Sequence, residues 1–410
     1  MDKLYKREKY LSRMRAFYDA DDIIKVITGV RRCGKSCLMA TIAEELKNRG
    51  IPEENIIYLD LDKRGFRKIR TPDQLDEILS KYDDIQGLKY LFIDEIQNVS
   101  GYEPVINGFR EDGSYSIFIT GSNSYLLSGE LVTKLTGRYI EFELFTLSFD
   151  EYEAMKKFYG KTIDSNPMTE FNNYILGGGF PRNVQFDSME SKRIYASSVI
   201  EEIFQKDIRR RVRIGDRHAF DSVLNYMINN FGAVTSIRSL EKSMKGSGIQ
   251  ISRPTLMRYI QILQDAKILY GVDRFDMKSK KSINGEKKYY LSDLSFYYAN
   301  NTDNRINYGP VLENVVYFYA RSKNYSVSIG RIGNLECDFI LRDNDLNYSY
   351  IQVAMTIMAS QETEDREYRP LEKIQDNYKK YVVTLDSLLQ KRNGISHINL
   401  IDFITNDEPF

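Results

Sequence analysis

The chain has little histidine and cysteine, and both shortages limit the chemistry that it can support. Its two histidines, His218 and His397, argue against a histidine-rich metal site and against a Ser-His-Asp triad. Its three cysteines, Cys33, Cys37 and Cys337, are too few and too unevenly spaced for a disulfide framework or a zinc knuckle. This usage favours a reducing compartment.

Net charge and long apolar runs are also lacking. The 58 basic and 58 acidic residues balance, so no global field favours nucleic acid or an anionic membrane, and any basic site must be local. No stretch approaches the roughly 18 consecutive apolar residues of a transmembrane helix. The amino-terminal segment is charged and has no apolar core, unlike a signal peptide. We therefore expect a cytoplasmic protein.

The sequence is organised around residues 25–38 (KVITGVRRCGKSCL), which run from an apolar strand through a glycine-bounded loop into an amphipathic helix. Gly29, Gly34, Lys35 and Ser36 fit the phosphate-loop pattern GxxxxGK(S/T). The glycines let backbone N–H groups approach a polyphosphate, the lysine brings charge to the β and γ oxygens, and the serine offers a hydroxyl to Mg²⁺. The predicted nucleotide contacts are Gly29, Val30, Arg31, Arg32, Cys33, Gly34, Lys35, Ser36 and Cys37.

Two alternatives remain for this stretch. The alternative to a phosphate-binding loop is a glycine turn that only connects a strand to a helix. Cys33 stands at a helix N-terminus, which tends to lower the pKa of a thiol and make it reactive, but we favour a small residue that the turn tolerates.

A second apolar strand, residues 90–96 (YLFIDEI), ends in two adjacent carboxylates, which is typical of a Walker B strand. Asp94 is predicted to hold Mg²⁺ and Glu95 to activate the attacking water as general base. Acidic residues that merely end a surface strand are the alternative. Strands and helices alternate at this spacing throughout residues 23–145, which predicts an open parallel sheet with right-handed crossovers.

Polar side chains near the ends of two further strands are candidate contacts. Thr120, Ser122 and Asn123 follow the strand 115–120 and would touch the γ-phosphate or the attacking water. Arg138 precedes an alternating strand and is predicted to be catalytic, as an arginine finger toward a neighbouring subunit of a homo-oligomer. The alternative is that the Arg138 side chain only forms an ion pair with an acidic surface.

The motifs GVRRCGKS, LFIDEIQ, FITGSNSYLLS, LTGRYIEFELFTLSFDEY and GGGFPR together resemble AAA-type prokaryotic P-loop ATPases whose C-terminal half carries a domain of unknown function with a nuclease-like core. The resemblance covers nearly the whole chain. It implies an α/β fold with a five-stranded parallel sheet and a helical lid, in which Arg182 would act as a second sensor of the nucleotide. The expected boundaries are an amino-terminal arm at 1–20, the ATPase core at 21–150, a lid and linker at 151–215, a winged helix at 216–300 and a C-terminal domain at 301–410.

Three helices and a hairpin predict the winged helix. The helices cover residues 219–231, 236–244 and 252–266, and Asn284-Gly285 is the hairpin turn signal. We expect salt-sensitive binding of double-stranded DNA through the third helix and the wing, although a structural spacer is the alternative. The candidate contacts are Arg253, Thr255 and Arg258 on the helix and Lys278, Lys280, Lys281, Lys287 and Lys288 on the wing.

The last segment resembles a restriction-endonuclease-like core. Glu313, Asp338 and Gln352 occupy the places of metal-binding residues in that pattern, but Ala354 stands where the pattern has a lysine. Without that charge we expect binding and no cleavage, unless Lys323 or Arg331 takes its place.

Three functions follow from these motifs. The favoured one is an ATPase that uses ATP and Mg²⁺, and whose nucleotide state controls how the C-terminal half binds DNA or a protein partner. The alternatives are a nucleotide-gated, metal-dependent nuclease and a nucleotide-binding scaffold with little turnover. The intact Lys35, Ser36, Asp94 and Glu95 argue against the scaffold.

Overall fold

The computed structural model describes residues 4–121, 137–209, 212–278, 281–301 and 305–410, and the side chains of residues 281–284 are not described. The chain divides into two compact units. The first contains Met1–Phe145 and Asp265–Lys267, and the second contains Thr146–Gln264 and Ile268–Phe410.

The first unit is built on a five-stranded sheet in the order β2-β3-β4-β1-β5, in which every pair of neighbours is parallel. This confirms the predicted parallel sheet. The strands are β1 (Ile24–Thr28), β2 (Ile56–Asp60), β3 (Lys89–Asp94), β4 (Tyr115–Thr120) and β5 (Tyr139–Glu143). All residues of β1, β3 and β4 are buried, as in the central strands of a parallel sheet covered on both faces.

Four α-helices accompany this sheet among the described residues: α1 (Glu8–Met14), α2 (Lys35–Asn48), α3 (Pro72–Leu79) and α4 (Glu103–Glu111). Helix α1 buries Tyr10, Leu11 and Met14, so the amino-terminal arm packs on the unit instead of being a solvated lead-in. Helix α3 begins with a capping box between Thr71 and Gln74. Because β1, β3 and β4 are parallel, the loops that follow them lie at one edge of the sheet.

The second unit contains ten further helices among the described residues, and one of them continues as a π-helical turn, Ile203–Ile208. They are α5 (Phe149–Phe158), α6 (Pro167–Gly177), α7 (Met189–Glu202), α8 (Arg217–Asn229), α9 (Ile237–Gly246), α10 (Arg253–Asp265), α11 (Ser295–Asn300), α12 (Tyr308–Ser322), α13 (Gln361–Glu372) and α14 (Leu400–Thr405). Helices α8, α9 and α10 are the three that the sequence predicts there. Within the described part of the chain, no helix combines the length and apolar character needed to cross a bilayer.

A nine-stranded sheet organises the rest of this unit, in the order β13-β14-β12-β11-β10-β9-β7-β8-β6. Its strands are β6 (Val234–Ser236), β7 (Leu269–Asp276), β8 (Lys281–Leu291), β9 (Ser326–Ile332), β10 (Leu335–Arg342), β11 (Tyr348–Val353), β12 (Lys379–Thr384), β13 (Lys391–Arg392) and β14 (Ile395–Asn399). Strand β7 pairs in parallel with β9, so the hairpin β7–β8 and the later strands share one sheet.

Two local predictions are wrong. Asn284-Gly285 is not the hairpin turn but lies inside β8, where the pairing register with β7 shifts between Asp273 and Arg274. Gly285 has a φ of 100°, which a bulged strand uses as readily as a turn does. The alternating charges around residues 371–378 predict a helix there, but the helix α13 begins earlier, where Ser360 accepts a hydrogen bond from the N–H of Thr363, and it ends at Glu372.

Candidate active site

The phosphate-loop segment forms a tight loop between β1 and α2, as predicted. Gly29 has a φ of 143°, and a Cβ atom there would lie 2.1 Å from the carbonyl oxygen of Leu144, so the position requires glycine. Gly34 has a φ of 109° and is the N-cap of α2. The loop therefore leads directly into the N-terminus of a helix, whose first N–H groups have no partner within the helix.

The lysine of the loop is held across it. Lys35 is 4% exposed, and its Nζ donates to the carbonyl oxygens of Gly29 at 2.9 Å and Val30 at 3.2 Å. This position suits an ammonium group that contacts the β and γ oxygens of a nucleotide. Ser36 is exposed in the first turn of α2, as a serine that contacts Mg²⁺ has to be, and Arg32 is exposed with a φ of 69°.

The neighbouring strand orients the Asp94 carboxylate at the end of β3. Asp94 is 2% exposed, and its Oδ1 accepts a hydrogen bond from Thr120 Oγ1 at the end of β4. The same Thr120 oxygen accepts a hydrogen bond from the backbone N–H of Glu95 at 3.1 Å. Thr120 thus positions the acidic pair, a role that the sequence did not indicate. The other two candidates on this strand end, Ser122 and Asn123, lie outside the described residues.

Glu95 has an unusual backbone conformation and a direct link to the loop. Its φ of 57° and ψ of 46° lie in the left-handed region, which costs an L-residue about 1–2 kcal/mol. Such outliers cluster at active sites. Its Oε2 accepts a hydrogen bond from Gln97 and lies 3.7 Å from the Nη2 of Arg31, a buried residue of the phosphate loop. The carboxylate predicted as general base is therefore paired with the loop.

The two cysteines of the loop region, Cys33 and Cys37, differ in solvent exposure. Cys33 is completely buried, and burial raises the pKa of its thiol. The hypothesis of a reactive Cys33 is therefore wrong, and the favoured alternative of a small residue that packs in the turn is right. Cys37 is exposed as a residue in the first turn of α2, while partial burial of its thiol and the Asp94 carboxylate raise its pKa.

Arg138 lies at the opposite edge of the sheet. Its carbonyl oxygen accepts a hydrogen bond from Ile24, the first residue of β1, and a five-residue strand of about 13 Å separates that residue from the loop. Its guanidinium donates to Asn107 at 3.2 Å and lies 3.5 Å from the carboxylate of Glu111. Within one chain, the Arg138 side chain therefore lies away from the phosphate loop and beside an acidic residue, as in the alternative interpretation. An arginine finger toward another subunit stays a prediction.

Two side chains that support the loop were missed by sequence reasoning. Arg7 donates through Nη1 to the carbonyl oxygens of Cys33 at 3.3 Å and Phe145 at 2.6 Å. Tyr58, on β2, donates its hydroxyl to the carbonyl oxygen of Ser36 at 3.4 Å. Neither belongs to a motif; the charged character of the amino-terminal segment is a weak signal for Arg7, and no sequence signal indicates Tyr58.

In the second unit, the GGGFPR motif is fixed by a buried carboxylate. The N–H of Gly179 donates to Asp293 Oδ2 at 2.8 Å, and a Cβ atom at Gly178 would lie 2.0 Å from Asp293 Oδ1. Arg182 follows in a 3₁₀ turn and donates to Gln185. The glycines thus have a packing reason within this unit, and the second-sensor role of Arg182 stays a prediction.

The second unit brings Glu313 and Asp338 together, but around a lysine. The Nζ of Lys288 lies 3.0 Å from Glu313 Oε2, 2.9 Å from Glu336 Oε1 and 3.8 Å from Asp338 Oδ1. Tyr290 donates its hydroxyl to Glu313 at 2.9 Å. Burial alone would lower the pKa of the Lys288 ammonium, but the three carboxylates raise it above its ordinary value. We call these four charged residues the Lys288 cluster.

This cluster contains two of the three predicted metal ligands, Glu313 and Asp338. Asp338 Oδ2 accepts a hydrogen bond from the N–H of Val353 at 2.8 Å, and burial raises the pKa of both Asp338 and Glu313. Gln352, which precedes Val353 on β11, is also buried. Among the described residues, no group of three or more histidine, cysteine or acidic side chains is arranged to hold a metal ion. The ammonium of Lys288 lies between the carboxylates of Glu313 and Asp338, and metal binding by Glu313, Asp338 and Gln352 stays a prediction.

Lys288, on β8, thus places a positive charge beside Glu313 and Asp338, whereas the family pattern has a lysine at the position of Ala354. Lys323 and Arg331, the candidates for this role, are engaged elsewhere: Lys323 pairs with Asp407 at 2.7 Å, and Arg331 donates to a carbonyl oxygen of its own hairpin at 3.0 Å. Lys288 was predicted as a DNA contact on the wing. At 5% exposure, it is not available for that role.

Comparison with known proteins agrees with the geometry of the first unit. Residues 21–153 match the model of an AAA domain, and residues 168–305 match a domain of unknown function, DUF8612. A solved structure, the Walker-type ATPase of Pyrococcus abyssi, has 15% identity and a TM-score of 0.49, covering 73% of this chain and 96% of that one. The ORC1 protein of Aeropyrum pernix in complex with DNA has 14% identity and a TM-score of 0.35, covering 73% and 93%. Both structures are too distant to support an inference about this chain.

Two relatives match over almost the entire sequence. An uncharacterised protein of Methanocaldococcus jannaschii is 29% identical over 388 residues, which is 92% of this chain and 85% of that protein. An uncharacterised protein of Haemophilus influenzae is 32% identical over 403 residues, which is 97% of this chain and 98% of that protein. The chain therefore carries an AAA domain followed by a domain of unknown function, and it belongs to the same family as the Haemophilus influenzae protein.

Proposed function

We propose that the chain is a Mg²⁺-dependent ATPase. The observation that carries this proposal is the 3.7 Å ion pair between Arg31 and Glu95, which joins a complete phosphate loop to the acidic end of the neighbouring Walker B strand. The AAA-domain match of residues 21–153 supports the same activity.

Each residue of the site has a distinct role in this proposal. The glycine-bounded loop and the N-terminus of α2 bind the phosphates, and Lys35 contacts the β and γ oxygens. Ser36 and Asp94 would hold Mg²⁺, which neutralises charge on the phosphates when it is bound. Glu95 orients the attacking water and accepts its proton, and its contacts with Arg31 and Gln97 hold the carboxylate in place.

Two variants with matched controls test the assignment. Lys35→Ala should weaken ATP binding at least about tenfold, because a charge-assisted contact is lost. Glu95→Gln should retain ATP binding and lose roughly a hundredfold or more in turnover. Lys47→Ala and Glu54→Gln, which alter exposed residues of the same unit, should leave both properties unchanged. Wild-type hydrolysis by Glu95→Gln would refute its role as general base.

We further propose that the nucleotide state controls a second unit that binds nucleic acid or a protein partner. A winged helix formed by α8, α9, α10 and the hairpin is compatible with the element order, in which β6 pairs with β8. Two wing lysines are already engaged: Lys287 pairs with Asp273 at 2.9 Å, and Lys288 is buried in its cluster. Double-stranded DNA binding through the wing would therefore depend on the remaining cations.

The nuclease alternative depends on whether the carboxylates of the Lys288 cluster can take up a divalent cation. Phosphodiester cleavage of that kind needs carboxylates that take up a divalent cation, and in the Lys288 cluster one ammonium group pairs with the carboxylates of Glu313 and Glu336. Incubation of the protein with plasmid and single-stranded DNA in Mg²⁺ and Mn²⁺ tests this, and cleavage lost in Asp338→Ala would restore the nuclease hypothesis. A cytoplasmic location is in keeping with the three free cysteines.

A further inference from the structure

A cleft of about 1200 Å³ opens on the second unit, and none of the functions above uses it. It lies between the end of β7, the β9–β10 hairpin and the segment that follows α13. Its floor is the surface of an apolar cluster that includes Ile340, Tyr350 and Ile374, with Phe275 and Ile332 packed against it. This volume exceeds the roughly 300–1,000 Å³ of ordinary small-molecule pockets, so the cleft suits a ligand larger than one drug-sized molecule.

The rim of the cleft is positively charged. Lys278, Arg369 and Lys373 line it and are exposed, and none of them has an ion-pair partner within the described residues. The acidic residue of the lining, Asp376, is already engaged: it accepts a hydrogen bond from the hydroxyl of Tyr350 at 2.6 Å and pairs with Lys380 at 3.5 Å. The three cations are therefore available to an anionic ligand.

Two aromatic rings stand in the same cleft. Tyr378 is 42% exposed, an unusual degree for a large aromatic side chain, and Tyr348 is half-buried beside it. Their rings meet edge to face, with centroids 5.3 Å apart. This arrangement leaves ring surface open to a flat ligand, and stacking on tyrosine is tolerant of base identity.

The surrounding backbone disfavours an extended peptide. Strand β10, next to the cleft, is hydrogen-bonded to β9 on one side and to β11 on the other, so it offers no free edge for an added strand. A duplex also fits poorly, because its bases are stacked inside and cannot reach the tyrosines. Unstacked bases joined by phosphates match both the rings and the cations.

We propose that this cleft binds single-stranded nucleic acid, with bases stacked on Tyr378 and Tyr348 and phosphates contacted by Arg369, Lys373 and Lys278. The inference deepens the proposal that the second unit binds nucleic acid and rests on it. It is independent of the ATPase proposal, because all of the residues belong to the second unit.

The test uses the full chain and a fluorescein-labelled 12-nucleotide oligo(dT), with binding followed by fluorescence anisotropy between 50 and 200 mM salt. Tyr378→Ala should weaken binding roughly tenfold, since stacking on one aromatic side chain is lost, and Tyr378→Phe should retain it. Arg369→Ser/Lys373→Ser should reduce the slope of log K against log salt by about 1.4, or about 0.7 for each lost phosphate contact.

A matched control removes the same charge elsewhere. Lys157→Ser/Lys391→Ser changes two exposed lysines of the second unit and should leave the affinity and slope unchanged. An unaltered slope in Arg369→Ser/Lys373→Ser, or stronger binding of a duplex of the same length, would overturn the proposal. Displacement of the oligonucleotide from wild type by polyglutamate but not from the double variant would assign the cleft to an acidic peptide. ATP hydrolysis measured without nucleic acid is the separate readout of the proposed function, and its loss would leave this inference standing.

Discussion

A buried lysine in β1 gives a prediction whose magnitude comes directly from the structure. Lys25 has no exposed surface, and its Nζ donates to the carbonyl oxygen of Ala20 and to Ser116 Oγ at 2.8 Å. Two acceptors match the two N–H groups of a neutral amine. Burial lowers the pKa of Lys25 to about 7, although nearby aspartates oppose the shift.

The sign of the pH dependence follows from this depressed pKa. Between about pH 7 and 10.5, the unfolded chain binds a proton at Lys25 that the folded chain does not, so stability rises with pH. At 1.36 kcal/mol for each unit, the gain between pH 6.5 and 9.5 is about 3 kcal/mol. Lys25→Met lacks this gain, so the difference in unfolding free energy between wild type and variant should change by that amount over this range.

Calorimetry of the full chain at the two pH values measures this difference. The transition that Mg²⁺ and ATP shift upward identifies the first unit. For a unit of this size, about 3 kcal/mol corresponds to roughly 6–12 °C. The difference in melting temperature between wild type and Lys25→Met should therefore change by that amount between the two pH values. Lys68→Met, which alters an exposed lysine of the same unit, is the control. Parallel pH profiles for wild type and Lys25→Met would refute a neutral buried amine.

Two further predictions concern the loop itself. Native protein should react with Ellman's reagent at Cys37 alone and show three reactive thiols after unfolding, because Cys33 and Cys337 are buried; fast labelling that persists in Cys37→Ser would contradict this. Gly29→Ala should weaken ATP binding at least about tenfold, or about 1.4 kcal/mol, in a titration with a fluorescent ATP analogue, since its Cβ would meet the backbone of Leu144 at 2.1 Å; unchanged affinity would show that the loop relaxes freely.

Local sequence patterns were sufficient for the first unit because its chemistry lies within short segments. The phosphate loop and the Walker B pair each occupy fewer than ten consecutive residues, and a parallel sheet places the ends of such segments at one edge. Residues that act from a distance could not be predicted in this way. Arg7 reaches the carbonyl oxygen of Phe145, 138 positions away, and nothing in either local sequence records that contact.

The second unit illustrates the opposite case. Its acidic candidates Glu313 and Asp338 do lie together, but the lysine beside them was not among the candidates for that charge. The expected lysine was sought two residues after Gln352, whereas the observed one lies on β8. Sequence spacing specifies which residues share a strand, but the charge that neutralises a buried carboxylate can come from any neighbouring element.

The Lys288 cluster also limits how the hairpin β7–β8 can act on DNA. The wing of a winged helix is usually drawn as a mobile arm, but here Lys288 on β8 is bonded to Glu313 on α12 and Glu336 on β10. Strand β7 is in addition paired with β9. Removing one partner from such a buried ion pair costs about 3–5 kcal/mol, so movement of the hairpin base away from the sheet would be opposed by a free energy of that order. The base of the hairpin therefore remains part of the nine-stranded sheet, and the proposed DNA binding would have to use the surface that this sheet already presents.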